Sequence, residues 1–176
     1  MPLKNYEKFT TFFNSSSPFS EWHHCRFRVD GITYTSMEQF MMHQKAMYFG
    51  DKETAENILN ESDPYKIKQM GRNVKNVENE RWLRVCEWIC YEGNIAKFSQ
   101  VPYLKKELME TQGTLLVKAS PNDVIWGVGL EESDPKIHNM EEWKGKNLLG
   151  RILTEIREKI REEEIEREEE SLIYNY

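Results

Sequence analysis

The chain is short of cysteine, of long apolar runs and of positive charge, and each shortage removes a class of protein. Only Cys25, Cys86 and Cys90 stand in 176 residues. An odd number, with two of them four apart in a helical pattern, argues against a disulfide framework and for reduced thiols in a cytoplasmic setting. No stretch approaches the roughly 20 apolar residues of a bilayer-spanning helix, and Met1 to Thr10 lacks the apolar centre of a secretory signal, so a soluble protein with no membrane association is expected. His23, His24 and Cys25 are adjacent, but neighbours on an extended segment point to opposite sides and no second cluster completes a ligand set. No metal is expected.

The formal net charge is -6, and much of it is local: Arg157 to Glu170 holds eight glutamates against Arg157, Lys159, Arg161 and Arg167. The nearly neutral remainder offers no broad basic face, which argues against affinity built from phosphate contacts along a duplex and leaves recognition of a single nucleotide open. Mean hydropathy is low, at -0.75, yet five Trp, eight Tyr and eight Phe supply burial that disordered chains lack. The expected architecture is mainly α, a compact single domain over residues 1–160 with a small N-terminal β-hairpin. Residues 161–176 read as an acidic helical or frayed tail, because the charge run has almost no apolar face.

Along the chain, Thr11 to Trp22 reads as an irregular loop around Pro18. Cys25 to Val29 and Ile32 to Thr35 flank Asp30-Gly31, a two-residue turn signal for a hairpin. Ser36, with Gln39 three places on, has the form of a capping box and predicts a helix to about Phe49. Asp51 caps a second helix to Leu59, and Asp63-Pro64 opens a third that ends at Gly71. A longer helix is predicted over about Val77 to Phe98, another from Pro102 to Thr111, and a short β run at Thr114 to Val117. Leu149, Ile152, Leu153, Ile156 and Ile160 form the apolar stripe of a last helix.

In the helix after the hairpin, residues three, four and seven apart share a face. Glu38, Met41, Met42 and Lys45 share one, while Phe40, His43 and Met47 lie opposite, so the helix is expected to be largely enclosed. A carboxylate and an ammonium are then held in partly desolvated ground. Burial raises a carboxylic acid's pKa and lowers a lysine's, the shifts that suit proton transfer near neutral pH. A structural ion pair packed among methionines would leave the same pattern, so the residue types alone leave both readings open.

Ser36-Met37-Glu38-Gln39-Phe40 with Lys45, then Gly71-Arg72, Trp82, Asn122-Asp123 with Trp126-Gly127, and Gly145-Lys146-Asn147-Leu148-Leu149-Gly150 together resemble the motif series of the YbiA-like or NADAR family. Six short motifs in order, spanning about Phe12 to Arg157, make a specific signature. The resemblance implies a compact, mainly helical fold and activity as an N-glycosidase, and no metal or other cofactor is expected for it. Its substrates join the first carbon of a phosphorylated ribose to an exocyclic amine, as in ribosylated aminopyrimidines of riboflavin synthesis or ADP-ribose on guanine. A non-catalytic module that binds NAD-derived nucleotides is the alternative. The near-neutral body favours a small-molecule phosphoribosyl or ADP-ribosyl substrate over ADP-ribosylated nucleic acid.

At the matching positions, Glu38 could protonate the ring oxygen or the leaving amine, and Lys45 could attack the opened sugar as a Schiff-base nucleophile or contact phosphate or hydroxyl. Arg72 beside Gly71 could grip a phosphate where glycine lets backbone approach closely, or form a surface salt bridge. Asp123 could orient a ribose hydroxyl or the attacking water, or serve as an ordinary turn cap. Trp82 and Trp126 could stack on a base; Trp126, among glycines, is the more accessible candidate and Trp82 sits on an apolar stripe. Asn147, just before the last helix, could bond sugar or phosphate. Ser20 lies in Phe19-Ser20-Glu21-Trp22, where bacterial relatives carry Phe-Ser-Asn-Phe, a departure that places Glu21 for a neutral amide. Glu131 to Glu142 reads as an insertion.

Overall fold

The computed structural model describes residues 6–174, so the first five residues of the Met1 to Thr10 stretch and the last two of the tail lie outside the described residues. The chain is mainly α. Its elements run β1 (Phe9–Phe12), β2 (Phe27–Val29), β3 (Ile32–Tyr34), α1 (Met37–Tyr48), α2 (Lys52–Leu59), α3 (Pro64–Arg72), α4 (Asn79–Gln100), α5 (Pro102–Glu110), β4 (Leu115–Lys118) and α6 (Leu148–Tyr174). Two short 3-10 turns, Pro135–His138 and Met140–Glu142, occupy the insertion. Two compact units emerge: residues 12–105, and residues 1–11 with 106–176.

In the unit of residues 12–105, β2 and β3 pair antiparallel with Phe27 opposite Tyr34 and Val29 opposite Ile32. Asp30 and Gly31 both take positive φ, +48° and +83°, as a two-residue hairpin turn of right-handed twist demands. The hairpin delivers the chain to Ser36, whose hydroxyl accepts from the Gln39 amide at 3.1 Å. The capping box is stretched by one residue, because the Gln39 side chain accepts from the Thr35 amide at 2.8 Å. The Gln39 amide group also donates to the carbonyls of Ile58 and Glu61, which ties α1 to the end of α2.

The opening residues of α2 and α3 behave as their types require. Asp51 accepts from Thr54 N, and Asp63 accepts from Tyr65 N ahead of Pro64. Ala46, Phe49, Ala55, Ile58, Ile67 and Val74 form one core cluster between α1, α2 and α3. On α1, Met37, Phe40, Met41, His43 and Ala46 are buried. Met47, expected on an enclosed face, is instead 49% exposed, so α1 is covered along most of its surface and open at its C-terminal end.

In the unit built from the chain's two ends, β1 pairs with β4, and Leu115, Val117, Val128, Leu130 and Ile137 form the core. The stripe Leu149, Ile152, Leu153, Ile156 and Ile160 is buried as its spacing demands. Arg157, counted in the sequence with the charges that run on to Glu170, is fully buried. Its guanidinium donates to the Thr111 carbonyl at 2.7 Å and to the Glu158 carboxylate at 2.8 Å, which makes burial of a permanent charge tolerable. Beyond Ile160 the helix continues through Tyr174, with side chains up to Ile173 exposed except the partly buried Glu164.

Candidate active site

Glu38 and Lys45 both lie half-buried on α1, seven residues and therefore about 10 Å apart along the axis. The Lys45 ammonium donates to the carbonyl of Gly71 at 2.9 Å and stands 5.7 Å from the centre of the Trp82 ring. Burial pulls the Lys45 pKa below its ordinary value, and the negative charge of Glu38 opposes that pull without cancelling it. Lys45 is thus a partly desolvated amine within electrostatic reach of Glu38, with Gly71 of α3 and Trp82 of α4 beside it.

Gly71 is needed for a reason the sequence did not disclose. A Cβ there would stand 2.0 Å from the Met42 sulfur, so the missing side chain lets α3 close onto α1, and the close approach is to Met42 rather than to a phosphate. That contact brings the Gly71 carbonyl to Lys45. Arg72, the last residue of α3, is exposed. Trp82 is partly buried against the α1–α3 core, so it serves that cluster and the Lys45 cation with one ring.

The loop before the hairpin supplies further wall. Ser20 is buried and its hydroxyl accepts from the Trp22 amide at 3.1 Å. The Glu21 carbonyl accepts from the Glu38 amide at 2.9 Å, which satisfies one of the orphan N–H groups at the start of α1. Next to it, Trp22 carries the Lys68 ammonium 5.6 Å from its ring centre. Trp22 and Lys68 were not singled out in the sequence. An aromatic at the end of a loop of Ser, Pro and Phe, and a lysine one turn before Gly71, gave no spacing signal that linked them.

Lys97 is the other residue that sequence reasoning passed over. It is fully buried in the last turn of α4, where Cys86, Cys90, Gly93 and Lys97 follow one another at four, three and four residues. Extending the apolar stripe of α4 by two turns would have found it. His43, also buried, shares a hydrogen bond of 2.9 Å with the Tyr34 hydroxyl, and burial lowers its pKa.

In the other unit, Asp123, Trp126 and Asn147 meet in one loop system. Asp123 Oδ1 accepts from the amides of Ile125 and Trp126, and Oδ2 pairs with Lys118 at 3.0 Å. Burial raises its pKa, but Lys118 and the two amides outweigh that and leave it below the usual carboxylate value. Trp126 is half-buried. Asn147, expected to reach a ligand, is fully buried. Its Oδ1 accepts from Lys118 N at 3.0 Å and its Nδ2 donates to the Leu116 carbonyl at 2.9 Å. Both ends of the amide are thus engaged with the backbone of β4. Gly150 belongs to the same arrangement: a Cβ there would meet the Leu116 carbonyl at 2.0 Å.

Among the described residues, no three His, Cys, Asp or Glu side chains gather into a set that could hold a metal ion, and no helix is long and apolar enough to cross a membrane.

Comparison with known proteins gives a consistent picture. The NADAR domain matches residues 6–161. N-glycosidase R617 of Acanthamoeba polyphaga mimivirus is 42% identical over 145 residues, covering 80% of this chain and 85% of that protein. N-glycosidase YbiA of Escherichia coli strain K12 is 31% identical over 148 residues, covering 84% and 82%. The NMR structure of the E. coli protein YbiA superposes with a TM-score of 0.75 at 30% identity, covering 92% of this chain and 89% of that one.

Proposed function

We propose, from the premise that this chain belongs to the NADAR domain family and is an N-glycosidase, that the bond it hydrolyses joins the first carbon of a phosphorylated ribose to an exocyclic amine. The observation that carries this reading is the half-buried Lys45 ammonium, held on the Gly71 carbonyl at 2.9 Å with Glu38 near enough to act on its charge. A small-molecule phosphoribosyl or ADP-ribosyl compound fits the nearly neutral charge of the body.

In this reaction Glu38, as the acid, protonates the leaving nitrogen or the ring oxygen as the bond from carbon to nitrogen weakens, and as the conjugate base takes a proton from water. Where the ring opens, neutral Lys45 attacks the first carbon, the amine departs with a proton, and water then adds to the imine, returning lysine and free sugar. Burial favours the neutral amine that this route needs, and the Gly71 carbonyl aims it. Trp22 and Trp82 supply flat faces for a base, and Lys68 and Arg72 supply positive charge for phosphate.

The test is Glu38→Gln, assayed for release of free base or amine from a phosphoribosyl aminopyrimidine and from ADP-ribosylated guanosine. Turnover is expected to fall by about 100-fold or more with much of the binding retained. Equal loss of binding and turnover would remove Glu38 from the chemistry.

A further inference from the structure

A buried lysine has to be explained, because an ammonium out of water is costly unless hydrogen bonds replace its hydration. Lys97 has no exposed surface at all. Burial lowers its pKa to about 8 against the smaller opposing influence of Cys25, Glu21 and Cys90, so at neutral pH it is still mostly a cation. Its Nζ donates to the Pro18 carbonyl at 2.7 Å and to the Ser20 carbonyl at 3.4 Å, and it lies 4.9 Å from the centre of the Phe98 ring. The cation is thus invested in the main chain of one irregular loop.

That loop has no strand or helix of its own to keep its shape. Its internal bonds are short-range: Ser20 N to the Ser17 carbonyl at 3.1 Å, and Trp22 N to the Ser20 hydroxyl at 3.1 Å. It nevertheless delivers the Glu21 carbonyl to the Glu38 amide at 2.9 Å. Glu38 is the second residue of α1, where the Ser36 hydroxyl is already engaged with Gln39, so the Glu21 carbonyl takes this orphan N–H. A continuous path of hydrogen bonds and two peptide units runs from the end of α4 to the backbone of the proposed acid.

We propose that Lys97 is a positioning residue for the Glu38 carboxylate, holding the Pro18–Glu21 loop in the shape that fixes the first turn of α1. A helix N-terminus without its partner frays, and displacement of a reacting group by about 1 Å can cost on the order of 100-fold in rate. The inference rests on the catalytic reading of Glu38, but the link from Lys97 to the Glu38 amide stands on geometry alone, and the two are tested separately.

The experiment is Lys97→Met in the full chain, with Lys97→Gln as a companion that keeps a donor without the charge. Amide hydrogen exchange at Glu38 and steady-state turnover are both measured. Lys97→Met is expected to speed exchange at Glu38 by about tenfold or more, the loss of one hydrogen bond, while central α1 amides such as Ala46 keep their protection. Turnover is expected to fall about 10- to 100-fold in kcat with KM changed less than about threefold, and Lys97→Gln to recover part of it. Native exchange at Glu38 in a folded Lys97→Met protein overturns the proposal. So does faster exchange with unchanged kcat while Glu38→Gln is inactive, and so does an even loss of protection throughout residues 12–105 in both variants. If Glu38→Gln itself keeps full turnover, the catalytic reading falls instead, and the exchange result still decides the link.

Discussion

Lys45 in one unit and the polar side chains Asp123, Asn147 and Arg157 in the other are held in different ways. In residues 12–105, Lys45 is only half withdrawn from water, and its neighbours leave it a weakened hold on its proton. In the unit built from the chain ends, Asp123, Asn147 and Arg157 are just as polar, but their hydrogen-bonding capacity goes largely to backbone and to near neighbours. A polar group in the first situation can do work on something that arrives, while one in the second keeps a loop or helix in place. All of these groups bond to backbone; what sets Lys45 apart from Asn147 and Arg157 is that it keeps part of its surface open to water.

The sharpest break in this contrast is Lys45→Met. It should reduce turnover on the order of 100-fold or more, the scale of groups that act in the transition state. If the Schiff-base route operates, borohydride should trap an adduct on the native protein and none on Lys45→Met. Because burial lowers the Lys45 pKa, the neutral amine and the trapped yield should both rise with pH through that lowered value. Stability should move the same way: between the lowered folded value and the ordinary 10.5 the unfolded chain binds more protons, so this group's contribution to stability grows with pH. A trapped yield that falls with rising pH would remove Lys45 as the nucleophile.

Asn147→Ala tests the other side of the comparison. It strands the Lys118 amide and the Leu116 carbonyl inside the unit and puts a Cβ-bearing residue without local hydrogen bonds at φ +53°. The expected loss is about 3 kcal/mol in denaturant unfolding, with Asn147→Gly less damaging because glycine accepts that φ. A folded Asn147→Ala protein of native stability that binds substrate poorly would show that the asparagine faces the ligand after all.

Much of this was legible in the sequence, for identifiable reasons. The hairpin, the caps at Ser36, Asp51 and Asp63, and the stripe from Leu149 to Ile160 rest on local chemistry and periodicity, so they could be read residue by residue. That Glu38 and Lys45 stand on one face of α1 was visible because residues seven apart on a helix return to the same side. What could not be read were partners far apart in sequence: Gly71 against Met42, Lys97 against Pro18, Trp22 against Lys68. The bonds of Asn147 to β4 were out of view for the same reason: its place before a helix suggested an anion site, and its partners Leu116 and Lys118 lie about thirty residues away in sequence.

Gly71→Ala is expected to have a smaller effect, since two terms oppose each other. Alanine in a helix gains about 1 kcal/mol over glycine, but the new Cβ would stand 2.0 Å from the Met42 sulfur, and overpacking costs about 1 to 3 kcal/mol even with a side chain as adaptable as methionine. A net loss of about 1 kcal/mol is expected, with a shift in the Lys45 pH response because the Gly71 carbonyl moves. A net gain would mean that α3 has slack against α1.

The smallest effect should come from removing residues 161–176. Ile160 is the last residue of the buried stripe, and beyond it Ile165, Leu172 and Ile173 are 42%, 65% and 71% exposed. Arg161 reaches Glu158 at 3.5 Å, and Arg167 donates to the Glu163 carbonyl. Exposed contacts of this kind are worth a few tenths of a kcal/mol each. The truncated chain should therefore keep its turnover and lie within about 1 kcal/mol of the parent. Arg157, four residues before the cut, marks the contrast: Arg157→Met at that fully buried position should cost more than the whole deletion, because it removes the guanidinium's bonds to the carbonyl and hydroxyl of Thr111 and to the Glu158 carboxylate. Loss of turnover in the truncated but folded protein would transfer a functional role to the acidic helix.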